Sequence, residues 1–467
     1  MALNLNRREF LKDLGLLGVG VTLAPAGVAG NAVMDWDNEK TPGLKRPAFV
    51  KTVDKPTTEV DWAKLQRYSE MKTLRHEPQY IDKDRLDKLN QLQTDNLASW
   101  LKANKPGYSL RDIALQASTT IGVGQTALSF ILDPTKVASP EKRGVPKWTG
   151  TPEDAAQLVT AALRHMGAAT VGFVQLDTAT TEKLIYSIDP DKKELVIADA
   201  DQPAENDKQR IIPKKARTMI VYTIQMSQET LKRAPTPLAG QTTTLSYARF
   251  QFLQPRLQTF LMSLGYMAMG EASINALGIA PAFGVMAGLG ELSRYNRLLT
   301  PEYGPMVRVF KLLTDLPIAP TKPINAGLLE FCKACKKCAE ACPSKALSFE
   351  TEPTWEVKGG WNNSGHKAWF EDSVKCMNYW KQVGTNCGIC FAVCPFASKN
   401  SAFMNSFRNA MAATVPAFDG VLKDLDDLLY GNPGATGIAQ KDQNAWWNLD
   451  LPEYGIDTTQ GHRDGYA

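Results

Sequence analysis

A chain of 467 residues is long enough for two or three domains, or for one large core with appendages. Its 43% hydrophobic and 22% charged composition excludes a disordered, collagen-like or coiled-coil chain as a description of the whole. With 53 basic and 49 acidic residues the formal net charge is +4, too weak a bias to argue for a nucleic-acid partner, and four scattered histidines are too few for a metal centre built from imidazole.

Residues 1–30 read as a cleavable export signal. Arg7-Arg8-Glu9-Phe10-Leu11-Lys12 is followed by an apolar, Gly- and Ala-rich stretch with small residues at Ala26 and Ala29, the layout of a twin-arginine signal. That route moves proteins already folded around their cofactors. The apolar stretch 260–290 carries only Glu271 as a charge but is broken by Gly265, Gly270, Gly278, Pro281 and Gly284, so it reads as buried core rather than a membrane span. The mature chain is expected to be soluble or peripheral.

The N-terminal region, 31–150, is Pro-punctuated, with a helix expected over 85–101. Thr151-Pro152-Glu153-Asp154 starts a helix that runs to His165 and is closed by Gly167. Residues 169–176 read as a buried strand, the polar stretch 177–215 as a surface insertion, 218–226 as a second strand, and 245–264 as a long helix interrupted by Pro255. This alternation of helix and strand predicts an α/β (α+β) core over 151–320. The Pro-rich segment 315–323 reads as the linker into a cysteine-bearing domain over 321–400, and 401–467 form a C-terminal region.

All eight cysteines fall between 332 and 394. The first group is Cys332-x2-Cys335-x2-Cys338-x3-Cys342-Pro343; the second is Cys376-x10-Cys387-x2-Cys390-x3-Cys394-Pro395. Short spacings let one tight loop aim several thiolates at a small cluster, and in the bacterial ferredoxin run the fourth cysteine crosses to the other cluster. The pattern therefore predicts a ferredoxin-like domain with two [4Fe–4S] clusters, one held by Cys332, Cys335, Cys338 and Cys394, the other by Cys342, Cys376, Cys387 and Cys390. Eight cysteines fill eight ligand positions. Disulfides and zinc are the competing readings, but close CxxC pairs are poor disulfide frameworks, and zinc ribbons lack the CxxxCP tail.

The twin-arginine signal joined to these two motifs resembles the respiratory reductive dehalogenases. The resemblance runs through VPKWTGTPEDAAQLV, LLTPEYGPMVRVFK, TDLPIAPTKPINAGLLEFCKACKKCAEACPSKAL and CGICFAVCPF, and so covers essentially the whole chain. It implies a nitroreductase-like core that binds a corrinoid of the cobalamin type without a protein ligand on the lower axial side of its cobalt. In keeping with that, the chain lacks a D-x-H-x-x-G motif; His462-x-x-Gly465 has Gln460 where the aspartate would stand.

The resemblance places a proton-donating tyrosine at Tyr247 in TTTLSYARF, its basic partner at Arg308 in GPMVRVFK and an active-site asparagine at Asn275 in EASINALG. A cation beside a phenol favours the ionised form it leaves, and an arginine keeps its charge at all working pH. Trp380 and Thr243 are implied to line the substrate pocket, and Gly288 and Gly290 to let backbone approach the corrin. The implied reaction replaces halogen by hydrogen on a small organohalide, a chlorinated ethene or alkane. Electrons would come from a membrane electron donor through the clusters, with a membrane-integral anchor subunit holding the enzyme on the outer face of the cytoplasmic membrane. The alternatives are an enzyme of the epoxyqueuosine reductase type and an electron-transfer iron–sulfur subunit without substrate chemistry.

Overall fold

Thr151 caps the first helix of the core reciprocally. Its hydroxyl accepts from the Asp154 N–H at 3.1 Å, and the Asp154 carboxylate accepts from the Thr151 N–H at 3.0 Å. The computed structural model to which this helix belongs describes residues 36–37, 46–47, 50–74, 80–120, 128–397 and 441–456. The export signal read over 1–30 and most of the C-terminal region lie outside the described residues. The main helices and strands, in chain order, are α1 (Lys83–Lys102), α2 (Leu110–Thr120), α3 (Pro152–His165), β1 (Thr170–Gln175), β2 (Thr218–Gln225), α4 (Pro237–Leu264), β3 (Met269–Gly270), α5 (Ala280–Met286) and β4 (Val307–Thr314). The cysteine-bearing arm follows with α6 (Leu328–Cys335), α7 (Lys337–Glu340), α8 (Ser373–Val383) and α9 (Ile389–Ala392).

The central sheet has the order β1-β2-β4-β3 and is antiparallel at every pairing. It is covered on both faces, so β2 is buried along its whole length and reads as a continuous apolar run. Alternation divides the side chains between two cores. Val171, Phe173, Ile220, Tyr222, Ile224, Phe310 and Leu312 face α3 and α4. Val174, Met219, Val221, Val309 and Leu313 face α5 and the 177–216 segment. Burying one such aliphatic side chain contributes roughly 1.5–3 kcal/mol, and a one-residue slip of β4 would expel the whole set from its core.

Three expectations are corrected. The long helix begins at Pro237, not near residue 245, and continues through Pro255. Pro237 sits in its first turn, where a missing N–H costs nothing, and Thr236 accepts from the Ala239 N–H at 3.2 Å. The 177–215 stretch is more than surface. Its strands Glu194–Ala198 and Gln209–Pro213 pair in parallel, and Ile185, Leu195 and Ile212 are buried in the core. Its polarity is partly internal, because the buried Arg210 guanidinium pairs with the buried Asp189 carboxylate. The 315–323 segment is a packed part of the core rather than a free linker. Leu316 and Ile318 are buried, and the Thr321 hydroxyl donates to the Ala287 carbonyl at 2.6 Å while accepting from the Phe173 N–H at 2.9 Å.

Among the described residues no helix is long and apolar enough to cross a membrane. The apolar stretch 260–290 is the end of α4, then β3 and α5, with Leu261, Met269, Phe283 and Leu289 fully buried.

One half-buried titratable group sets a pH dependence of folding. His366 bridges to Val60 and meets the Phe370 ring edge-on at 5.2 Å; burial pushes its imidazole down to about 4. The unfolded chain titrates near 6.5 and binds more protons between these values, so stability falls as pH drops from about 6.5 towards 4, by about 2 kcal/mol at pH 5. Replacing His366 with Gln is expected to remove that increment. Urea midpoints of wild type and variant at pH 7 and pH 5 check it, and an unchanged pH difference would refute it.

Candidate active site

None of the eight cysteines is paired in a disulfide, and all gather at the junction of α6, α7, α8 and α9. Lys336, left-handed at φ 50°, breaks the chain between α6 and α7, and Gly388, at φ 73°, precedes α9. These turns fold the CxxC steps back on themselves. The Glu291 carboxylate accepts from the Ala326 and Leu328 N–H groups at 3.0 and 2.9 Å, tying the start of α6 to the core.

Cys332, Cys335, Cys338 and Cys394 line one small cavity, together with Arg294, Tyr295 and Phe396. Cys342, Cys376, Cys387 and Cys390 form a second set in mutual electrostatic reach. Burial pushes the Cys332 and Cys387 thiols up to about 12. A thiolate at either place therefore needs strong positive charge beside it, which iron supplies by direct ligation. The donor set is all sulfur, eight thiols in two quartets, and fits two cubane clusters.

Sequence reasoning missed the residues that surround these quartets. Glu291–Leu292 and Leu298–Leu299 form a hairpin, with Asn296 left-handed near its tip. Arg294, only 1% exposed, donates to the carbonyls of Cys332, Lys333, Ser348 and Glu350, with its guanidinium 4.5 Å above the Trp369 ring. Arg297 pairs with Glu371 at 3.4 Å beside the second quartet. No spacing rule marks an arginine as buried; its only signal is its place at the end of a long apolar stretch.

The second feature lies where α4 crosses β4. The register of β4 puts Arg308 on the face of Phe310, towards α4, and α4 presents Tyr247 and Thr243 there, one helical turn apart. Arg308 Nη2 donates to Thr243 Oγ1 at 3.1 Å, and its guanidinium carbon lies 5.8 Å from the centre of the Tyr247 ring. It also lies 5.6 Å from the ring of Phe391, which stands between Cys390 and Cys394. Arg308 thus touches both the tyrosine and the cluster arm. Its buried Nε has no hydrogen-bond partner.

The remaining sites are dispersed. Asn275 is left-handed at φ 66° in the loop after β3, and its backbone N–H bonds to the buried Glu271 carboxylate, which is also paired with Lys311 at 2.9 Å. Lys311 projects to the sheet face opposite Arg308, so this ion pair fixes the loop from the other side. Trp380 is 37% exposed on α8, the helix that carries Cys376. Gly288 and Gly290 each lie in close approach to backbone. A Cβ at Gly288 would stand 2.1 Å from the Lys322 carbonyl oxygen, and one at Gly290 2.2 Å from that of Leu299. On the Cβ side of both glycines the space is taken by the chain's own backbone.

Residues 45–318 match the family model of a reductive dehalogenase subunit, and residues 331–397 match that of a 4Fe-4S double cluster binding domain. The tetrachloroethene reductive dehalogenase of Sulfurospirillum multivorans is 32% identical, over 97% of this chain and 95% of its own length. The chloroethene reductive dehalogenase of Dehalococcoides mccartyi strain VS is 27% identical, over 97% of this chain and 98% of its own. An epoxyqueuosine reductase of Bacillus cereus is 30% identical but over only 23% of this chain. Among solved structures, the catabolic reductive dehalogenase NpRdhA superposes with a TM-score of 0.59 at 21% identity, covering 85% of this chain and 52% of its own, so that this chain spans about half of it. A reductive dehalogenase structure described in terms of B12-dependent dehalogenation superposes with a TM-score of 0.56 at 21% identity, covering 85% of this chain and 52% of its own. With a tetrachloroethene-reducing relative matched over nearly its full length, and an arm that fits two iron–sulfur clusters, the chain belongs to the reductive dehalogenases, oxidoreductases that act on carbon–halogen bonds.

Proposed function

We propose that this chain replaces halogen by hydrogen on a small chlorinated aliphatic, an ethene or alkane, using a corrinoid and two [4Fe–4S] clusters. The observation that carries the reading is the group formed by Tyr247, Arg308 and Thr243 against Phe391 of the cluster arm. The names of the relatives favour chlorinated ethenes as substrates. The fit to a corrinoid rests on the partnerless Arg308 Nε and on the donor chemistry here. When bound, the corrinoid supplies the reduced cobalt needed to break the carbon–halogen bond.

The chain's own residues do the rest. Cys332, Cys335, Cys338 and Cys394 hold one cluster, and Cys342, Cys376, Cys387 and Cys390 hold the other. Tyr247 gives its phenolic proton to the carbon that has lost halogen. Arg308, fixed by its bond to Thr243 and near the Tyr247 ring, offsets the charge left on the phenolate. Phe310 meets the Tyr247 ring edge-on at 5.9 Å and keeps it in a dry, apolar wall. Thr243 stands beside Arg308, and Asn275 and Trp380 are proposed as further substrate contacts by resemblance alone.

Turnover of a chlorinated ethene with reduced viologen as electron source tests this directly. Tyr247→Phe removes one hydroxyl and leaves packing intact, so iron and corrinoid contents stay at wild-type levels while turnover falls at least about a hundredfold. Arg308→Lys keeps the charge but loses the planar fork that reaches Thr243, and retains partial activity. Near-normal dehalogenation by a fully loaded Tyr247→Phe enzyme would assign the proton to another donor.

The same proposal includes export by the twin-arginine route and residence on the outer face of the cytoplasmic membrane, held by a membrane-integral anchor subunit and fed by a membrane electron donor. Its support is the Arg7-Arg8 pair with the apolar stretch behind it. Changing both arginines to lysine is expected to leave a folded, cofactor-loaded precursor inside the cell. Fractionation of cells expressing that variant checks it, and undiminished export defeats the proposal.

A further inference from the structure

The hairpin over residues 291–299 treats the two cysteine quartets differently. At the first quartet it places a buried cation with no carboxylate in ion-pair contact; Glu350 acts on it only from longer range. Arg294 makes its hydrogen bonds to four backbone carbonyls, at 2.6 Å from Cys332 and Glu350, 2.9 Å from Ser348 and 3.2 Å from Lys333. None of these acceptors carries a formal charge, and no ion pair neutralises the guanidinium among the described residues. The next residue, Tyr295, is 2% exposed and donates its hydroxyl to the Cys394 sulfur at 3.9 Å. Both side chains line the cavity formed by Cys332, Cys335, Cys338 and Cys394. At the second quartet the hairpin presents Arg297, but the Glu371 carboxylate stands 3.4 Å away and cancels its charge. Glu371 is further held by the Ser373 hydroxyl at 3.1 Å.

We propose that Arg294 and Tyr295 hold the cluster of the Cys332 quartet at a higher reduction potential than the cluster of the Cys342 quartet. The inference rests on the two-cluster reading above and deepens it. Reduction adds one electron, taken from the donor, to a cluster and its four thiolates; no bond breaks and the site gains one negative charge. An unneutralised guanidinium in a low-dielectric interior stabilises that extra charge. A hydroxyl donating to a ligand sulfur does the same, more strongly to the reduced state because its sulfur is more negative. The paired Arg297 contributes a dipole in place of a net charge, so the second cluster lacks this help. The Cys332 cluster is thus the one that retains an electron when supply is limited, and the Cys342 cluster is the stronger reductant.

The test is a dithionite titration of the cofactor-loaded enzyme with redox mediators, followed by electron paramagnetic resonance. The wild type is expected to show two reducible clusters with separate midpoints. Tyr295→Phe keeps the ring and removes only the donor. It is expected to lower the higher midpoint alone, changing the reduced-to-oxidised ratio at a fixed potential about tenfold, which is 59 mV for one electron. Glu371→Gln uncovers the charge of Arg297 and is expected to raise the lower midpoint, bringing the two together. Coincident midpoints in the wild type overturn the inference. So does a Tyr295→Phe enzyme with full iron content and both midpoints unmoved, or a shift confined to the lower one. Iron for only one cluster in the wild type instead sinks the two-cluster reading and takes the inference with it.

Discussion

The antiparallel register between β2 and β4 is the constraint from which the site follows. With Phe310 opposite Tyr222, the even-numbered residues of β4 meet α4 and the odd-numbered ones meet the opposite core. Arg308 is thereby delivered to Tyr247 and Thr243, and Lys311 to Glu271 beneath the Asn275 loop. A slip of one residue would exchange the two cations between the faces. It would leave Lys311 against the tyrosine and strand an arginine over Glu271. The apolar positions forbid that slip, because Phe310, Leu312 and Leu313 would all leave their cores together.

The cluster arm depends on this sheet through few but strong ties. Glu291 caps the start of α6, Arg294 gathers four carbonyls of the cysteine loops, and Arg308 stands against Phe391. Polar groups buried this deeply stay in place only when their partners are complete. The arm is therefore oriented by hydrogen bonds and charge as much as by its apolar contacts, and the short path from cysteine to tyrosine is a product of that orientation.

Much of this was legible in the sequence, for identifiable reasons. The cysteine pattern announced an iron–sulfur arm because ligand geometry imposes spacing on the chain. The Thr151 cap, β1 and β2 were legible because capping and burial leave local signatures. The start of α4 was missed because Pro235 and Pro237 look like breakers until one sees that Pro237 occupies a first turn. The 177–215 segment was taken as surface because Asp189 and Arg210 neutralise each other only after the chain folds back on itself. Arg294 and Tyr295 left no trace, since nothing local distinguishes a buried arginine from a solvated one. The backbone at Lys322 and Leu299, against which Gly288 and Gly290 pack, is likewise named by no local pattern.

The cavity that collects Cys332, Cys335 and Cys338 is closed by Cys394, from the far end of the arm. Neither quartet is complete within one half of the sequence, because Cys342 likewise sits with cysteines of the later motif. A ribosome that has released only the first motif has released no finished binding site. Cluster insertion must wait until the chain beyond Cys394 has emerged, and the two sites then close as one topological event. A truncation or frameshift between the motifs would thus yield a protein with no intact quartet, rather than one that keeps half its iron.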